Sequence, residues 1–492
     1  MPVTQTLVQK LARTKPVGLH AEQGDIHTGG LTRSMGLFSL TMIGVGATIG
    51  TGIFFTMVEA VPKAGPSVVL SFLLAALTAG LTALCYAELS FRIPASGSAY
   101  SFAYSTVGEF LAFIVAFCLL LEYGLAASAT AIGWSDYLNN FLVNAFGWQI
   151  PETLRSPLIL ATPHGMSWNV GHLNLPPMIL VALCCVLLVR GTKESATTNA
   201  IMVMVKLAIL IFFVAVAFTG FDAANFTPFL KPVSGEWMPG ATGIAAAAGT
   251  VFFSFIGLDT IATAGEEVRN PRRNVPVGIL SALVIVTVFY LLVAVAAMGA
   301  QPAHKFEGQA AGLSVILQNV TGKAWPALVL SAGAVISVFS VTLVTIYGQT
   351  RILYAISKDG LMPKVFQTVN PKTHSPVGNT LIVSLVVGVV AGLVDSTFLW
   401  DMVSMGTLTA FIIVSVAVPV LRSKDRKAGI STKGGFRIPF GPYLVPALSI
   451  AACSYLMVNL SFSTKVIFTI WMVVAVITYF AYSIHNSRLK KG

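Results

Sequence analysis

The sequence contains few charged residues. Asp, Glu, Lys and Arg together make up 10% of the 492 residues, compared with about 25% in ordinary soluble domains. Hydrophobic residues make up 55% and the mean hydropathy is +0.81. This balance excludes a soluble globular protein, a disordered chain and a nucleic-acid-binding protein, and it indicates an integral membrane protein.

Cysteine and histidine are also scarce. All five cysteines fall within predicted helices, so no extracellular disulfide framework is expected. The seven histidines lie in loops, in tails or at a helix edge, without the spacing of a metal site. A membrane enzyme is therefore the least favoured class, and no cofactor or metal is expected. Residues 1–33 are polar, so no cleaved leader is expected.

Long uncharged runs are abundant instead. A membrane-spanning helix needs about 20 mostly apolar residues, and twelve segments of the sequence are candidates. They are residues 34–58, 64–87, 110–135, 176–189, 199–221, 237–258, 276–300, 324–350, 376–394, 402–421, 440–464 and 466–487. The sequence therefore predicts an all-α integral membrane fold with twelve spans.

The basic residues indicate how these spans are oriented. With a cytoplasmic N-terminus, 23 of the 30 Lys and Arg residues fall in cytoplasmic segments, six fall outside, and Lys206 lies within a span. The net charge of +11 therefore reflects topology and not an acidic ligand. The predicted organisation is a cytoplasmic tail (1–35), a twelve-helix domain (36–487) and a cytoplasmic C-terminal tail (488–492), in a plasma or bacterial inner membrane.

The first predicted helix is rich in glycine. It contains Gly44, Gly46, Gly50 and Gly52 within nine residues. Each glycine in a helix interior costs up to about 1 kcal/mol relative to alanine. The segment therefore either packs closely against another helix or is unwound, so that its free N–H groups bind an anion and its free C=O groups bind a cation.

The sixth predicted helix contains a second interruption, where Gly257 and Asp259 follow an aromatic run. Unpaired backbone within a membrane is tolerated only where it lines a cavity. Interruptions in the first helix of each of two five-helix halves predict an inverted-repeat transporter with a central site. The first repeat would span about 36–221, the second about 237–421, and two further helices about 440–487.

Three ionisable residues lie in or near these spans. Lys206 is about eight residues into the fifth helix, where an ammonium costs at least a few kcal/mol unless it is paired or deprotonated. It is a candidate proton carrier, the alternative being a structural lysine bonded to carbonyls. Glu122 is a proton relay, a counter-charge for a cationic substrate, or a packed acid. Asp259 is a substrate contact, a gate or part of a structural ion pair.

The first interruption, Gly46-Ala-Thr-Ile-Gly50-Thr-Gly52-Ile-Phe54, resembles the signature of the amino acid–polyamine–organocation (APC) superfamily. Further resemblances follow in the family's order along nearly the whole chain. They are Leu84–Leu89, Pro94–Tyr100, Phe255–Asp259, Glu266–Pro271, Tyr347–Arg351, Ser357–Pro363, Met405–Leu408 and Phe436–Pro439. Within the superfamily, the sequence is most similar to the cationic amino acid transporter branch and its bacterial homologues.

The resemblance implies a LeuT-type fold, with a 5+5 inverted repeat, broken helices 1 and 6 and two extra helices, and it implies a free α-amino acid as substrate. The expected substrate-site positions are Thr48, Ile49, Gly50, Thr51, Gly52, Phe253, Ser254, Phe255, Ile256 and Asp259. The N–H groups of the first break would bind the carboxylate, and carbonyls of both breaks would bind the ammonium. Phe255 is the candidate aromatic gate.

The resemblance also assigns a role to Lys206, because proton-coupled members carry a lysine there in place of a sodium ion. Its expected partners are the carbonyls near Gly44 and Val45 and the hydroxyl of Ser340. Sodium-coupled relatives have two adjoining hydroxyl residues where this sequence has Phe339-Ser340. The lost hydroxyl and the lysine both argue against sodium.

The expected function is proton-coupled import of cationic or small neutral L-amino acids by alternating access across the lipid bilayer. Coupling would arise because substrate and proton bind the two states differently. The alternatives are an amino acid exchanger, a channel and a non-transporting amino acid receptor. The sequence does not identify a small accessory membrane subunit.

Overall fold

The computed structural model describes residues 6–15, 35–50, 52–93, 98–162, 165–190, 196–230, 240–263, 268–370, 375–429 and 436–490. Within these ranges the protein is mostly helical, with one two-stranded hairpin. Each of the twelve uncharged runs overlaps a helix. By length and composition, eight helical segments in the described ranges could cross a membrane, and four shorter apolar helices accompany them.

The described helices and strands are numbered in chain order. The helices are α1 (Leu7–Leu11), α2 (Leu37–Thr48), α3 (Gly52–Ala64), α4 (Val68–Arg92), α5 (Ser98–Thr106), α6 (Glu109–Phe146), α7 (Leu175–Arg190), α8 (Ala196–Ala217), α9 (Ala241–Val251), α10 (Thr260–Thr263), α11 (Pro271–Ala300), α12 (Gly312–Thr321), α13 (Ala324–Lys358), α14 (Val377–Leu393), α15 (Ser396–Lys427), α16 (Leu444–Asn459), α17 (Phe462–Thr478) and α18 (Ile484–Asn486). The strands are β1 (Ile159–Thr162) and β2 (Gly165–Trp168).

Both predicted helix interruptions are present. α2 ends at Thr48 and α3 begins at Gly52, with an extended backbone at Ile49 (φ −81°, ψ 99°). After α9 the chain continues as a 3-10 helix over Phe252–Phe255 and becomes extended at Ile256 (φ −67°, ψ 144°). These two segments are called the first break and the second break.

The two breaks pack directly against each other. A Cβ atom on Gly257 would lie 2.9 Å from the carbonyl carbon and oxygen of Ala47. A Cβ on Gly52 would overlap the backbone and side chain of Ser254. Gly257 also has a φ of 103°, which residues with a side chain avoid. The sequence left open whether the glycines allow close packing or an unwound backbone. Both are present, because the helices are unwound at the breaks and the breaks are in close contact.

The core around the breaks is built from long helices. α6 and α13, of 38 and 35 residues, pack along each other, and α4 packs along α11. At 1.5 Å per residue each of the first two exceeds 50 Å, against roughly 30 Å of hydrocarbon. These helices are therefore long enough to cross a bilayer and to carry structure at both of its surfaces.

The first and last described segments, residues 6–15 and 484–490, lie at the same end of the helix bundle, called here the terminal end. Glu109, at the start of α6, contacts both the N-terminal segment and the C-terminal segment. The end of α4 is held to the end of α15 there by two ion pairs, Glu88 with Arg422 and Arg92 with Asp425. Termini at one end are what an even number of crossings requires.

The hairpin lies at the opposite end. β1 and β2 are antiparallel, with Ile159 opposite Trp168. The hairpin is attached to the turn between α14 and α15, because the N–H of Asp395 donates to the carbonyl of Ile159 at 3.0 Å. The loop between α6 and α7 is thereby fixed to the helix pair that follows much later in the chain.

The contact between the breaks leads to a first prediction. Gly257→Ala adds a methyl group against the Ala47 carbonyl at a positive φ, and such strain costs about 1–3 kcal/mol. We expect a clearly lower apparent melting temperature of the detergent-purified protein. Gly36→Ala is the matched control, because its Cβ would meet no atom within 4 Å. Equal melting temperatures for the two variants would contradict the packing described.

Candidate substrate and proton site

The two breaks form a site that is closed to solvent. Thr48, Ile49 and Ser254 have no exposed surface, and Phe253 and Phe255 are 1% exposed. Gly50 and Gly52 are also buried, whereas Ile256 is partly exposed. Thr51, expected to bind substrate, lies outside the described residues. The remaining substrate-site positions at the two breaks are therefore brought together in an occluded arrangement.

The first break presents N–H donors. The N–H of Ile49 still donates to the carbonyl of Val45 at 2.7 Å, as in a helix. In contrast, the N–H of Gly50 donates to no atom of the described residues. The N–H groups of the first turn of α3, which begins at Gly52, lack acceptors within their own helix. This combination of free N–H groups at a helix start suits a carboxylate.

The second break presents carbonyl acceptors. The carbonyl of Phe253 accepts a hydrogen bond from the N–H of Ile256 at 3.2 Å. The carbonyl of Ile256 accepts none of the hydrogen bonds formed within the described ranges. A free carbonyl next to the donors of the first break suits an ammonium group.

Lys206 reaches the first break from α8. It is 2% exposed, and its Nζ donates to the carbonyl of Gly46 at 3.3 Å. A Cβ on Gly50 would lie 3.4 Å from the same Nζ. The ammonium is therefore adjacent to the backbone that would bind the substrate carboxylate.

The carbonyl that Lys206 contacts is one residue beyond the Gly44–Val45 pair expected from the sequence. The carbonyl of Gly44 already accepts the hydroxyl of Thr48 at 2.8 Å, and that of Val45 accepts an N–H. Gly46 provides the next carbonyl along α2. Ser340 is buried on α13, next to Val341, whose methyl group occupies the space that a Cβ on Gly50 would need.

Tyr290 connects the two breaks, and sequence analysis missed it. This residue of α11 has no exposed surface. Its hydroxyl lies 2.8 Å from the carbonyl oxygen of Thr48 and 2.7 Å from that of Ser254. The Thr48 carbonyl, expected to bind the substrate ammonium, is therefore bonded to Tyr290 in this state. The only sequence signal was a tyrosine in mid-span, whose hydroxyl needs a partner when buried.

The aromatic residues at the site pack against one another in pairs, and the gate role of Phe255 stays a prediction. Phe255, the candidate gate, packs edge-on against Tyr290 with ring centroids 5.2 Å apart. Phe253 packs edge-on against Trp400 of α15 at 4.4 Å, and Phe55 stacks on the same indole at 5.8 Å. Trp400 therefore covers the site on the side away from the terminal end, and the sequence did not identify it.

Two further contacts hold this cover in place. A Cβ on Gly133 of α6 would overlap the ring of Phe55, so glycine provides the recess that the ring occupies. Farther from the breaks, the Lys63 ammonium donates to the Thr250 hydroxyl at 2.6 Å, and that hydroxyl donates to Asp401 at 3.0 Å. Helices α3, α9 and α15 are thereby joined above the site.

The two acids identified from the sequence lie on the terminal side of the breaks. Glu122 of α6 is 2% exposed and Asp259 is 6% exposed, and neither takes part in an ion pair within the described ranges. Asp259 accepts a hydrogen bond from the Ser98 hydroxyl at 3.2 Å. It also lines a small cavity with Tyr86 and Phe411. Among the described residues, Asp259 therefore has a hydroxyl partner, and its three expected roles stay predictions.

Comparison with known proteins identifies the family. The profile of the amino acid permease family matches residues 35–482. The chain belongs to the APC family of amino acid permeases. This is a family of multi-pass membrane transporters, and the permease has the apolar helices that such proteins require.

The permease is similar to transporters with different named substrates. It is 38% identical over 487 residues to the methylthioribose transporter of Bacillus subtilis (strain 168). That alignment covers 98% of the chain and all of the relative. It is 38% identical over 461 residues to the branched-chain amino acid permease BcaP of the same strain, covering 94% and 95%. It is 36% identical over 417 residues to the vacuolar cationic amino acid transporter 2 of Arabidopsis thaliana, covering 84% of the chain and 63% of that relative.

The tyrosine bridge leads to a second prediction. Tyr290→Phe removes the only hydroxyl described as joining the two breaks and leaves two buried carbonyls with one donor fewer, at a cost of about 1–3 kcal/mol. We expect a roughly tenfold or greater decrease in substrate uptake, with normal expression and purification.

Uptake into reconstituted vesicles checks this prediction, with binding measured in parallel. Tyr455→Phe is the matched control, because Tyr455 is 44% exposed on α16. Wild-type uptake by Tyr290→Phe would show that the bridge has no part in transport.

Proposed function

We propose that the permease imports amino acids together with protons by alternating access. The observation that carries this proposal is the buried Lys206 ammonium, which donates to the Gly46 carbonyl at the first break. A titratable cation at this point can bind and release a proton where another transporter would bind and release a metal cation. Its neighbour Gly50 offers an N–H donor, so proton and substrate would act on the same few residues.

The substrate would lie between the two breaks. Its carboxylate would accept from the N–H groups of Gly50 and of the α3 start, with Thr51 adding a further donor. Its ammonium would donate to the carbonyl of Ile256, which has no partner within the described ranges, and to those of Phe253 and Thr48. For the ammonium to bind the Thr48 carbonyl, the Tyr290 hydroxyl must give up its hydrogen bond to that oxygen or share the oxygen with the substrate.

Lys206 would couple the proton to movement of α2. When charged, it holds α2 through the Gly46 carbonyl and favours the closed arrangement. When α2 tilts and the carbonyl withdraws, the ammonium loses this hydrogen bond in a buried position, and release of its proton becomes more favourable. The substrate and the proton would then leave toward the same side.

The lining of the site favours a small or branched neutral side chain over a cationic one. A methyl group of Val341 lies against Gly50, and Ile49 and Phe253 are buried apolar residues of the two breaks. Asp259 is already bonded to Ser98. The similarity to a branched-chain amino acid permease supports neutral amino acids as the preferred substrates. The similarity to a cationic amino acid transporter makes arginine and lysine the second choice.

Methylthioribose is a second candidate substrate, because the relative named for its transport matches this chain along its whole length. This sugar carries neither a carboxylate nor an ammonium. Its neutral hydroxyl groups could accept from the N–H of Gly50 and donate to the carbonyl of Ile256, but they would bring no charge to either group. An amino acid would bring charged groups to these backbone N–H and C=O groups, whereas the sugar would bring only neutral ones.

The proposed architecture is the twelve-span LeuT-type arrangement with both termini cytoplasmic, in the cell membrane. The helices that overlap all twelve uncharged runs support it, as does the meeting of residues 6–15 with residues 487–488 at one end. The two five-helix repeats and their limits, about 36–221 and 237–421, remain part of this proposal.

Uptake into proteoliposomes tests the function. Labelled leucine, alanine, arginine, lysine and methylthioribose would each be offered with and without an inside-alkaline pH gradient. We expect accumulation of leucine or alanine only with the gradient. Uptake that needs amino acid loaded inside, and not the gradient, would instead establish an exchanger. Accumulation of methylthioribose alone would overturn the amino acid assignment, and non-saturating flux without accumulation would indicate a channel.

Lys206→Met tests the coupling step. The side chains are similar in length and the site is apolar, so we expect the variant to fold and to bind substrate while losing at least about nine-tenths of its gradient-driven accumulation. Lys305→Met, at an exposed position, is the control and should transport normally. Proton-driven accumulation at the wild-type level in Lys206→Met would exclude Lys206 as the proton carrier.

A further inference from the structure

Two acidic residues at the terminal end each contact both residues 6–15 and residues 487–488, one segment through the carboxylate and the other through the backbone. The first is Glu109, at the start of α6, which has no exposed surface. It accepts hydrogen bonds from the hydroxyls of Tyr104 at 3.2 Å, Tyr479 at 3.1 Å and Ser487 at 2.5 Å. Its own N–H donates to the carbonyl of Arg13 at 2.8 Å. The N-terminal and C-terminal segments therefore meet at one buried acid.

The second carboxylate is Asp359, which follows α13. It accepts the Lys15 ammonium at 3.4 Å and the Tyr100 hydroxyl at 2.9 Å. Its backbone carbonyl accepts the N–H of Arg488 at 3.1 Å. Asp359 therefore has the same three kinds of partner as Glu109, namely the N-terminal segment, the C-terminal segment and a tyrosine of α5.

Helix α5 connects these acids to the substrate site. Tyr100 and Tyr104, which bond to Asp359 and Glu109, are both on α5. The first residue of the same helix, Ser98, donates to Asp259 in the second break at 3.2 Å. A nine-residue helix thus has one end bonded to the break and its tyrosines bonded to the two acids.

We propose that residues 6–15, α5 and residues 487–488 form a clasp that holds the terminal end of the permease closed. Opening on that side requires α5 to move with the second break, and the bonds to Glu109 and Asp359 oppose this movement. The two tails thereby set how often the site opens at the terminal end. This inference rests on the proposed function only in supposing that the site opens there during a transport cycle.

The clasp has a releasable part and a fixed part. The Lys15–Asp359 pair is partly exposed, with side-chain exposures of 18% and 20%. An ion pair of this kind shifts an equilibrium by only about two- to fivefold. The bonds to Glu109 are buried and hold the tails more firmly. Release would therefore begin at Lys15 and Asp359.

A labelling experiment tests the clasp without substrate or gradient. The five native cysteines would be replaced and Ala262→Cys introduced on α10, just beyond the second break, where the residue is 2% exposed. The rate of reaction with a hydrophilic maleimide in detergent then reports opening toward α10. We expect Lys15→Ala to raise this rate about two- to fivefold. Tyr100→Phe should raise it in the same direction.

Lys10→Ala is the matched control, because Lys10 is on the same segment and takes part in no ion pair within the described ranges. It should label at the parent rate. Equal labelling rates for Lys15→Ala, Tyr100→Phe and Lys10→Ala would overturn the proposal.

A cross-link tests the reverse effect. Cysteines introduced by Lys15→Cys and Asp359→Cys would be joined by a flexible, reducible thiol reagent. We expect labelling of Cys at position 262 to slow and uptake to stop, with both restored on reduction. Normal labelling in the cross-linked protein would contradict the clasp. Slowed labelling in a protein that transports nothing under any condition would instead refute the proposed function and leave the clasp standing.

Discussion

A backbone that leaves its helix inside a membrane must find partners for its N–H and C=O groups, and the structure around the two breaks follows from this constraint. The breaks satisfy part of the requirement by packing on each other, which is why glycine stands at 52 and 257. Tyr290 satisfies another part by placing its hydroxyl between two carbonyls. Lys206 satisfies a third part at Gly46. The groups left over, an N–H at Gly50 and a carbonyl at Ile256, form a site with opposite polarity at its two ends.

This arrangement explains how one family can carry chemically different substrates. In the proposed binding mode the polar contacts come from backbone, which substitution of side chains leaves in place. Differences in substrate would then come from the side chains around the site, such as Phe253, Phe255 and Val341. Relatives named for a thio-sugar, for branched-chain amino acids and for cationic amino acids share more than a third of their aligned residues with this chain. Specificity in such a protein depends on the lining and on the helices that close over it.

The sequence predicted the parts of the structure that depend on local composition. Helices were found in all twelve apolar runs, and both interruptions lie where glycine clusters or where glycine precedes an acid. The position of Lys206 near the first break was also foreseen. Its exact carbonyl was not, because the hydrogen bonds of Thr48 and Ile49 decide which carbonyl remains available. The expected roles of the individual site residues in binding and coupling stay predictions.

Contacts between distant segments could not be predicted. Nothing in the local pattern distinguishes Tyr290 or Trp400 from the other aromatic residues of a membrane helix. The partners of Glu109 come from four different parts of the chain, and the sequence indicated only an acid near a helix end. Such groups acquire their function from the packing of helices, which composition and periodicity do not specify.

The Tyr290 hydroxyl has a consequence of its own for how closure depends on substrate. A phenol carries a single proton, whereas two carbonyl oxygens lie within hydrogen-bonding distance of it. At any moment one of those oxygens must do without that proton. An α-ammonium group brings three protons at once, so an amino acid in the site would complete a set of hydrogen bonds that the protein alone leaves short by one. The substrate itself would then supply a hydrogen bond that favours closure.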